Sequence, residues 1–456
     1  MALAGLSVTS AVLMATQVSG RSPLLALGDR SSSLEAPYRY PFRDAAPRGS
    51  STARIEQEIA HYQQRVQQMP AQSLAQALEQ SALALSYLKM ARLTGQGHWY
   101  LLANQAAEAA RGAVPDQPEA IAVLARVAEA QHDFAQALSL AEQLSGSKEA
   151  LGIQATVHLA TGNLAAAAGA SDRLVDQTLS PMAFTQQALV RAAQGNDAGV
   201  LESFQYALEL EEVGDLSSSA RTRTLLGRFH YERGQLDLAH DLYQESLRIL
   251  PGYRPALLNL AQLELRRGRD RSAGKYYAQV QASSAATLYE PLVLRGLARL
   301  KQQQNQLAAA EAYWATAELQ LRQTLADSQG DAAAFGFGHQ RDLARLLLER
   351  GRAEDRPEAL ALMAAEVQRR RDAETLDTYA WALAATGRWQ EAQQAVQAAI
   401  ALGTRDAGLC DRAASIEEAL GNSAQAANYR QQALEIDPQF DQSARNASGL
   451  GAGLGS

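Results

Sequence analysis

Residues Leu376–Gly403 read LDTYAWALAATGRWQEAQQAVQAAIALG. Apolar and small side chains recur at three- and four-residue intervals on both sides of Thr386-Gly387-Arg388, the period of an α-helix broken by one tight turn. Glycine at the break suits a helix C-terminus, because it takes the left-handed backbone conformation without a steric penalty. The stretch therefore reads as two helices folded back on each other. Such a hairpin cannot bury its own apolar face unless a similar unit stacks beside it.

The same unit recurs along the chain. Gly162, Gly195, Gly234, Gly268, Gly387 and Gly421 anchor equivalent turns, with 34 residues between Gly234 and Gly268 and between Gly387 and Gly421, and 33 between Gly162 and Gly195. Seven residues before each anchor stands Ala155, Ala188, Gly227, Ala261, Ala380 or Ala414, and five after it Ala167, Val200, Ala239, Ala273, Ala392 or Ala426. Two helices cross closely only where the crossing carries little side-chain bulk, so these two columns mark the crossing. Larger residues fill the columns nine after the anchor (Phe204, Tyr243, Tyr277, Val396) and eleven before it (Leu151, Phe184, Leu257, Leu376), where they would wedge between neighbouring pairs. Pro251 and Pro438 follow their anchors at the same interval and can stop the second helix.

This pattern resembles the tetratricopeptide repeat (TPR) family in its bacterial form, most closely over Ala220–Tyr253, Arg254–Thr287, Ala373–Asp406 and Ala407–Phe440. The resemblance covers most of Ala84–Phe440 and implies an all-α fold, a right-handed solenoid of stacked antiparallel helix pairs. About nine or ten pairs are expected over residues 53–440, with a bend near 328–338, where a Gly- and Ala-rich break follows a long helix over Leu307–Leu325. Departures from the pattern are visible. The second helix starts three residues late after Gly95 and after Gly351, where Pro357 opens it, and Arg223, Cys410 and Arg430 stand in columns that call for bulky apolar residues.

The flanks differ in character. Residues 1–20 hold a mostly apolar run, Ala2–Met14, followed by the small residues Ser19 and Gly20, which reads as a possible signal peptide and an exported (periplasmic or extracellular) protein. No Lys or Arg precedes Arg21, so the usual positive n-region is missing; if the run is not a signal, the protein is cytoplasmic. Residues 21–52, rich in Ser, Pro, Arg and Gly, read as a flexible leader, and 441–456 as a disordered tail.

Composition narrows function. Net charge is −7 with no dominant basic stripe, so no nucleic acid is expected as partner. The seven histidines include no i, i+4 pair and Cys410 is the one cysteine, so no metal and no cofactor are expected. His158 and His230 fall four residues before turn glycines, in a core-lining column, and Cys410 is expected as a buried small hydrophobe. Glu209, Glu211 and Glu212 read as a solvated acidic face. No constellation of titratable groups suggests an enzyme.

The default binding surface of a helix-pair solenoid is its concave side, lined by the first helix of each unit. Inward positions would include Arg221, Thr224, Arg228 and Tyr231 in one unit, Asn259, Gln262 and Arg266 in the next, and Trp381 in a more acidic section with Asp377, Asp411, Ser415 and Glu418. The resemblance implies that Arg228, Asn259 and Arg266 could grip a peptide carboxylate, although the family's usual lysines are absent. The expected function is a protein-interaction scaffold holding a peptide or protein partner in that groove. The alternative is an accessory subunit of a cell-envelope or secretion assembly whose chemistry lies in the partner.

Overall fold

The computed structural model describes residues 38–40, 51–212, 214–282, 287–327 and 340–449. Residues 1–20, most of the leader and the suspected bend at 328–338 lie outside them. The described chain is built of α-helices. After α1 (Ser51–Gln68) come ten hairpins: α2 (Leu74–Thr94) with α3 (His98–Ala113), α4 (Pro118–Ala130) with α5 (Phe134–Gln143), α6 (Lys148–Ala160) with α7 (Leu164–Thr178), and α8 (Pro181–Ala193) with α9 (Asp197–Glu209). Then follow α10 (Leu216–Glu232) with α11 (Leu236–Ile249), α12 (Arg254–Arg266) with α13 (Asp270–Gln281), and α14 (Glu290–Gln303) with α15 (Leu307–Asp327). The series ends with α16 (Gln340–Arg350) and α17 (Arg356–Glu366), α18 (Ala373–Ala385) and α19 (Trp389–Ala401), α20 (Ala407–Ala419) and α21 (Ser423–Ile436), and a last short helix, α22 (Gln442–Ser448).

Each first helix touches the next first helix, α2 to α4 and onward to α14, then α16 to α18 to α20, so the hairpins stack serially in the TPR manner. The crossing columns behave as their size requires. Ala155, Ala188, Ala261, Ala380 and Ala414, with Ala167, Val200, Ala239, Ala273, Ala392 and Ala426, are all fully buried. Gly234 and Gly268 adopt φ of 71° and 67°, the left-handed cap that ends a helix and turns the chain back. The late-starting units are as read from sequence: α3 begins at His98 after Gly95, and a 3-10 turn over Ala353–Asp355 precedes Pro357 in the first turn of α17.

Gly227 shows how one column sets another. An added Cβ there would lie 2.6 Å from Cε1 of Tyr243, a fully buried ring in the column nine after the anchor. Glycine to alanine inside a helix ordinarily stabilises by about 1 kcal/mol. Overpacking a rigid, buried ring costs about 1 to 3 kcal/mol and wins here. Gly227→Ala is therefore expected to lower the melting temperature, with Gly227→Ala/Tyr243→Leu recovering most of the loss; a Gly227→Ala protein as stable as its parent would refute this packing.

The stack also winds far enough to touch itself. Hydrogen bonds join residues 160 to 211 positions apart in sequence: Arg254 Nη1 to Thr94 O at 2.6 Å and Thr404 Oγ1 to Ala193 O at 2.8 Å. Leu288 N donates to Gly95 O at 2.8 Å, Arg371 N to Ala160 O at 3.1 Å, and Arg266 pairs with Asp437 at 2.7 Å. One superhelical turn thus seats on the next, and the inner, concave face of the first helices is its channel.

Both flanking segments are more structured than their composition suggests. Residues 442–448, assigned to the tail, form α22, which packs on α12 and α14 with Ala447 O accepting from Arg299 Nη1 at 2.9 Å. Within the leader, Tyr38 and Tyr40 are buried: Tyr38 O accepts from Arg223 Nε at 2.6 Å and Tyr40 N donates to Glu245 Oε1 at 2.7 Å. Arg223, the residue out of place in its column, is there to hold Glu211 and this segment; Glu211 therefore neutralises a buried arginine, contrary to the solvated face read from sequence.

Candidate functional site

The first helices line the channel, and the seven groove residues named from sequence divide according to what each already holds. Arg221, on the first half of α10, reaches water inside the channel and makes no ion pair among the described residues. Arg228, two turns later, is half exposed, donates to Glu232 Oε1 at 2.8 Å, and lies close enough to Glu374 of α18 for that carboxylate to help raise its pKa; Glu232 is the larger cause. Asn259 is partly exposed with its amide donating to Pro255 O at 2.7 Å, and Gln262 is partly covered by α22.

The other three are committed to the fold and correct the reading from sequence. Tyr231 is buried beneath the Arg266 guanidinium, whose Cζ lies 5.2 Å from the ring centroid. Arg266 is itself buried and spends its donors on Asp437 Oδ2 at 2.7 Å and Gln439 O at 2.9 Å, a clamp between superhelical turns. Trp381 is 3% exposed under Arg412, 4.4 Å from its ring centroid. Nor is its neighbourhood an acidic surface, because Asp377 pairs with Arg412 at 2.6 Å and Asp411 with Arg445. Sequence spacing finds the first helices correctly but cannot tell which of their inward positions the next turn covers.

Further round, the channel wall is salt-bridged. Arg341 contacts Asp372 at 3.2 Å and Glu374 at 3.3 Å, Arg345 pairs with Glu374, and Glu374 is held at about 2 chiefly by Arg341. Arg295 and Glu349 form a buried pair at 2.6 Å. On the other side α2, α3, α4 and the start of α12 bring near Arg221 residues that sequence reasoning left unnamed: Arg92, Tyr100, Arg126, Tyr253 and Arg254, with Tyr289 just before α14. A cleft of about 410 Å³ opens beside them along α4, α6, α8 and α10, lined among others by Arg126, Gln186, Glu211, Glu212 and Asp215. No alignment of turn glycines could have found this cluster, since its members come from two successive turns of the superhelix.

Buried titratable groups outside the channel are structural. Burial pushes the Cys410 thiol up to about 11, so it is a packed hydrophobe with no thiolate character. Among the described residues no cluster of three or more His, Cys, Asp or Glu could hold a metal ion, and no helix is long and apolar enough to cross a membrane.

No protein-family profile matches the chain, and no curated protein does. Among solved structures, a human IFIT1 dimer with PPP-AAAA is 13% identical, with 78% of this chain and 72% of that one aligned at a TM-score of 0.46. A human IFIT1 dimer with m7Gppp-AAAA is 13% identical over 84% of this chain and 77% of that one, TM-score 0.41. A tetratricopeptide repeat protein from Parabacteroides merdae is 17% identical over 53% of this chain and 92% of that one, TM-score 0.37. The assignment of stacked helix pairs rests on this chain's own helix contacts and turn conformations.

Proposed function

We propose that this protein is a non-catalytic scaffold that takes an extended segment of a protein partner into its concave channel. The observation that carries the reading is Arg228: a half-exposed guanidinium on the first helix α10, with capacity left after its bond to Glu232. A concave wall strengthens each hydrogen bond made to it, and an extended chain offers backbone carbonyls and carboxylates to arginine and amide donors. Asn259 and Gln262, partly exposed on the next first helix, continue the same row of donors.

Arg228→Glu would set a third carboxylate beside Glu232 and Glu374, and is expected to reduce capture of the partner at least tenfold, about 1.4 kcal/mol. The measurement is affinity capture followed by titration with the purified partner, with circular dichroism to show the helices intact. Unchanged capture by a folded Arg228→Glu protein would remove this reading. We also propose export, on the apolar run Ala2–Met14 and the small residues after it. The N-terminal residue of protein purified from its natural host, read by mass spectrometry, tests it, and an intact Met1 counts against it.

A further inference from the structure

The channel wall where two superhelical turns meet is chemically unlike the rest. Four interior arginines elsewhere are matched with carboxylates: Arg223 with Glu211, Arg266 with Asp437, Arg295 with Glu349, Arg412 with Asp377. Arg92 near the end of α2 and Arg221 on α10 are not; neither is salt-bridged among the described residues, and both are solvent-exposed. Arg126 of α4 stands near both. It pairs with Glu129 at 2.6 Å, and its Nη2 lies over α6 at Gly152, where an added Cβ would meet it at 2.6 Å. Arg254 closes the group from the next turn, held by Thr94 O.

Arg126 has Glu129 as its ion-pair partner, whereas Arg92, Arg221 and Arg254 have no carboxylate partner among the described residues. Burial, with Arg126 adding like-charge repulsion, lowers the pKa of Arg92 and of Arg221. Guanidinium groups stay charged even so, and the donors that Arg92 and Arg221 present to water are left to receive an anion. Tyrosines form the remaining wall. Tyr289 lies against Gly95 and is pinned beside the Leu288–Gly95 hydrogen bond, Tyr253 is the neighbour that most offsets the Arg221 shift, and burial keeps both hydroxyls protonated as donors.

We infer that Arg92, Arg126 and Arg221, walled by Tyr253 and Tyr289, form a binding site for a compact, multiply charged oxyanion of the phosphate or polycarboxylate type carried by a small molecule. Planar guanidinium forks and phenol donors converging from two turns match the several oxygens of such a group. A long polyanion fits less well. Its affinity grows with the number of charges neutralised along a track, and here the basic cluster gives way on one side to the cleft edged by Glu149, Glu211, Glu212 and Asp215, and on the other to the salt-bridged wall around Glu374. The site is independent of the peptide reading, which rests on Arg228.

Isothermal titration of the full chain with sodium pyrophosphate, at about 0.15 M salt, is expected to show saturable binding at one site. Arg92→Gln and Arg221→Gln should each weaken it about tenfold or more, while Arg228→Gln leaves it unchanged. Because Arg221 is solvated and unpaired, Arg221→Gln should melt no lower than the parent, which separates loss of binding from loss of fold. Trisodium citrate run in parallel distinguishes the two ligand types: binding of both with the same dependence on Arg92 and Arg221 assigns the site to charge density, and binding of pyrophosphate alone narrows it to phosphates. Absence of binding, or binding indifferent to both arginines, overturns the proposal. So does a short single-stranded oligonucleotide that binds more tightly than pyrophosphate through the same arginines.

Discussion

Arg266→Met is expected to destabilise the protein by about 3 to 5 kcal/mol, the cost of leaving a buried charge without its partner. The guanidinium joins the end of α12 to the segment after α21: Nη2 donates to Asp437 Oδ2 at 2.7 Å and to Gln439 O at 2.9 Å, and Nη1 to Tyr231 O at 3.3 Å. Both members are almost fully buried, at 4% and 3% side-chain exposure, so water does not screen the pair. Met fills much of the volume but supplies none of the donors, and Asp437 keeps only its bond from Gln439 N at 2.9 Å. The loss should be local in its consequences, because a repeat array is held by neighbour contacts and by this seam. Hydrogen exchange should accelerate over 437–448, which includes α22, and the scattering radius should grow as the seam opens. Adding Asp437→Asn removes the orphaned charge and should restore part of the stability. An Arg266→Met protein with the parent's melting temperature and the parent's exchange rates in α22 would show that the seam contributes little.

The repeat was legible in the sequence because its physics is local. A crossing point tolerates little bulk, and a reversed helix needs a left-handed residue at its cap, so the small columns and the glycine column are visible in any single unit. The reading faltered where another residue does the same work. His132 and Asn305 sit at φ of 62° and 56°, in the place glycine takes elsewhere, so those units carry no glycine to mark the turn. It faltered again where long-range contacts decide. Nothing near Tyr231, Arg266 or Trp381 announces that a later segment or an arginine will cover them, and nothing near Arg92 announces that Tyr289 will stand opposite. Gly95 and Gly162 illustrate the same limit: beyond capping their helices, they admit Tyr289 and Arg371 of the next superhelical turn, whereas Gly268, Gly387 and Gly421 face open space. The leader segment at Tyr38–Tyr40 reads as flexible because its partners, Arg223 and Glu245, are 185 and 205 residues away.

His230 supplies the second large effect, and it depends on pH. The ring lies inside α10 with 1% exposure, Nδ1 against Gln235 Oε1, and Nε2 buried without a partner among the described residues. Burial, with the nearby Arg233 charge adding to it, pushes the imidazole down to about 4 against an unfolded value near 6.5, although the Gln235 bond acts the other way. The native state therefore favours the neutral ring. Its contribution to stability is complete above pH 6.5 and is lost as pH falls from there towards 4, because the unfolded chain takes up a proton that the folded chain resists. At about 1.4 kcal/mol for each pH unit of separation, the loss across that window is about 3 kcal/mol. His230→Asn places an amide where Nδ1 stood, keeps a donor for Gln235, and cannot titrate. It should melt lower than the parent at pH 7, because a smaller side chain leaves the Phe229 edge, with ring centroids 5.5 Å apart in the parent, less well packed. Carboxylates contribute to the decline of both proteins below about pH 5, so the informative quantity is the difference between the two melting curves. That difference should narrow steadily from pH 6.5 to 4; curves that stay parallel through this range would mean that the imidazole takes up its proton in the native state without cost.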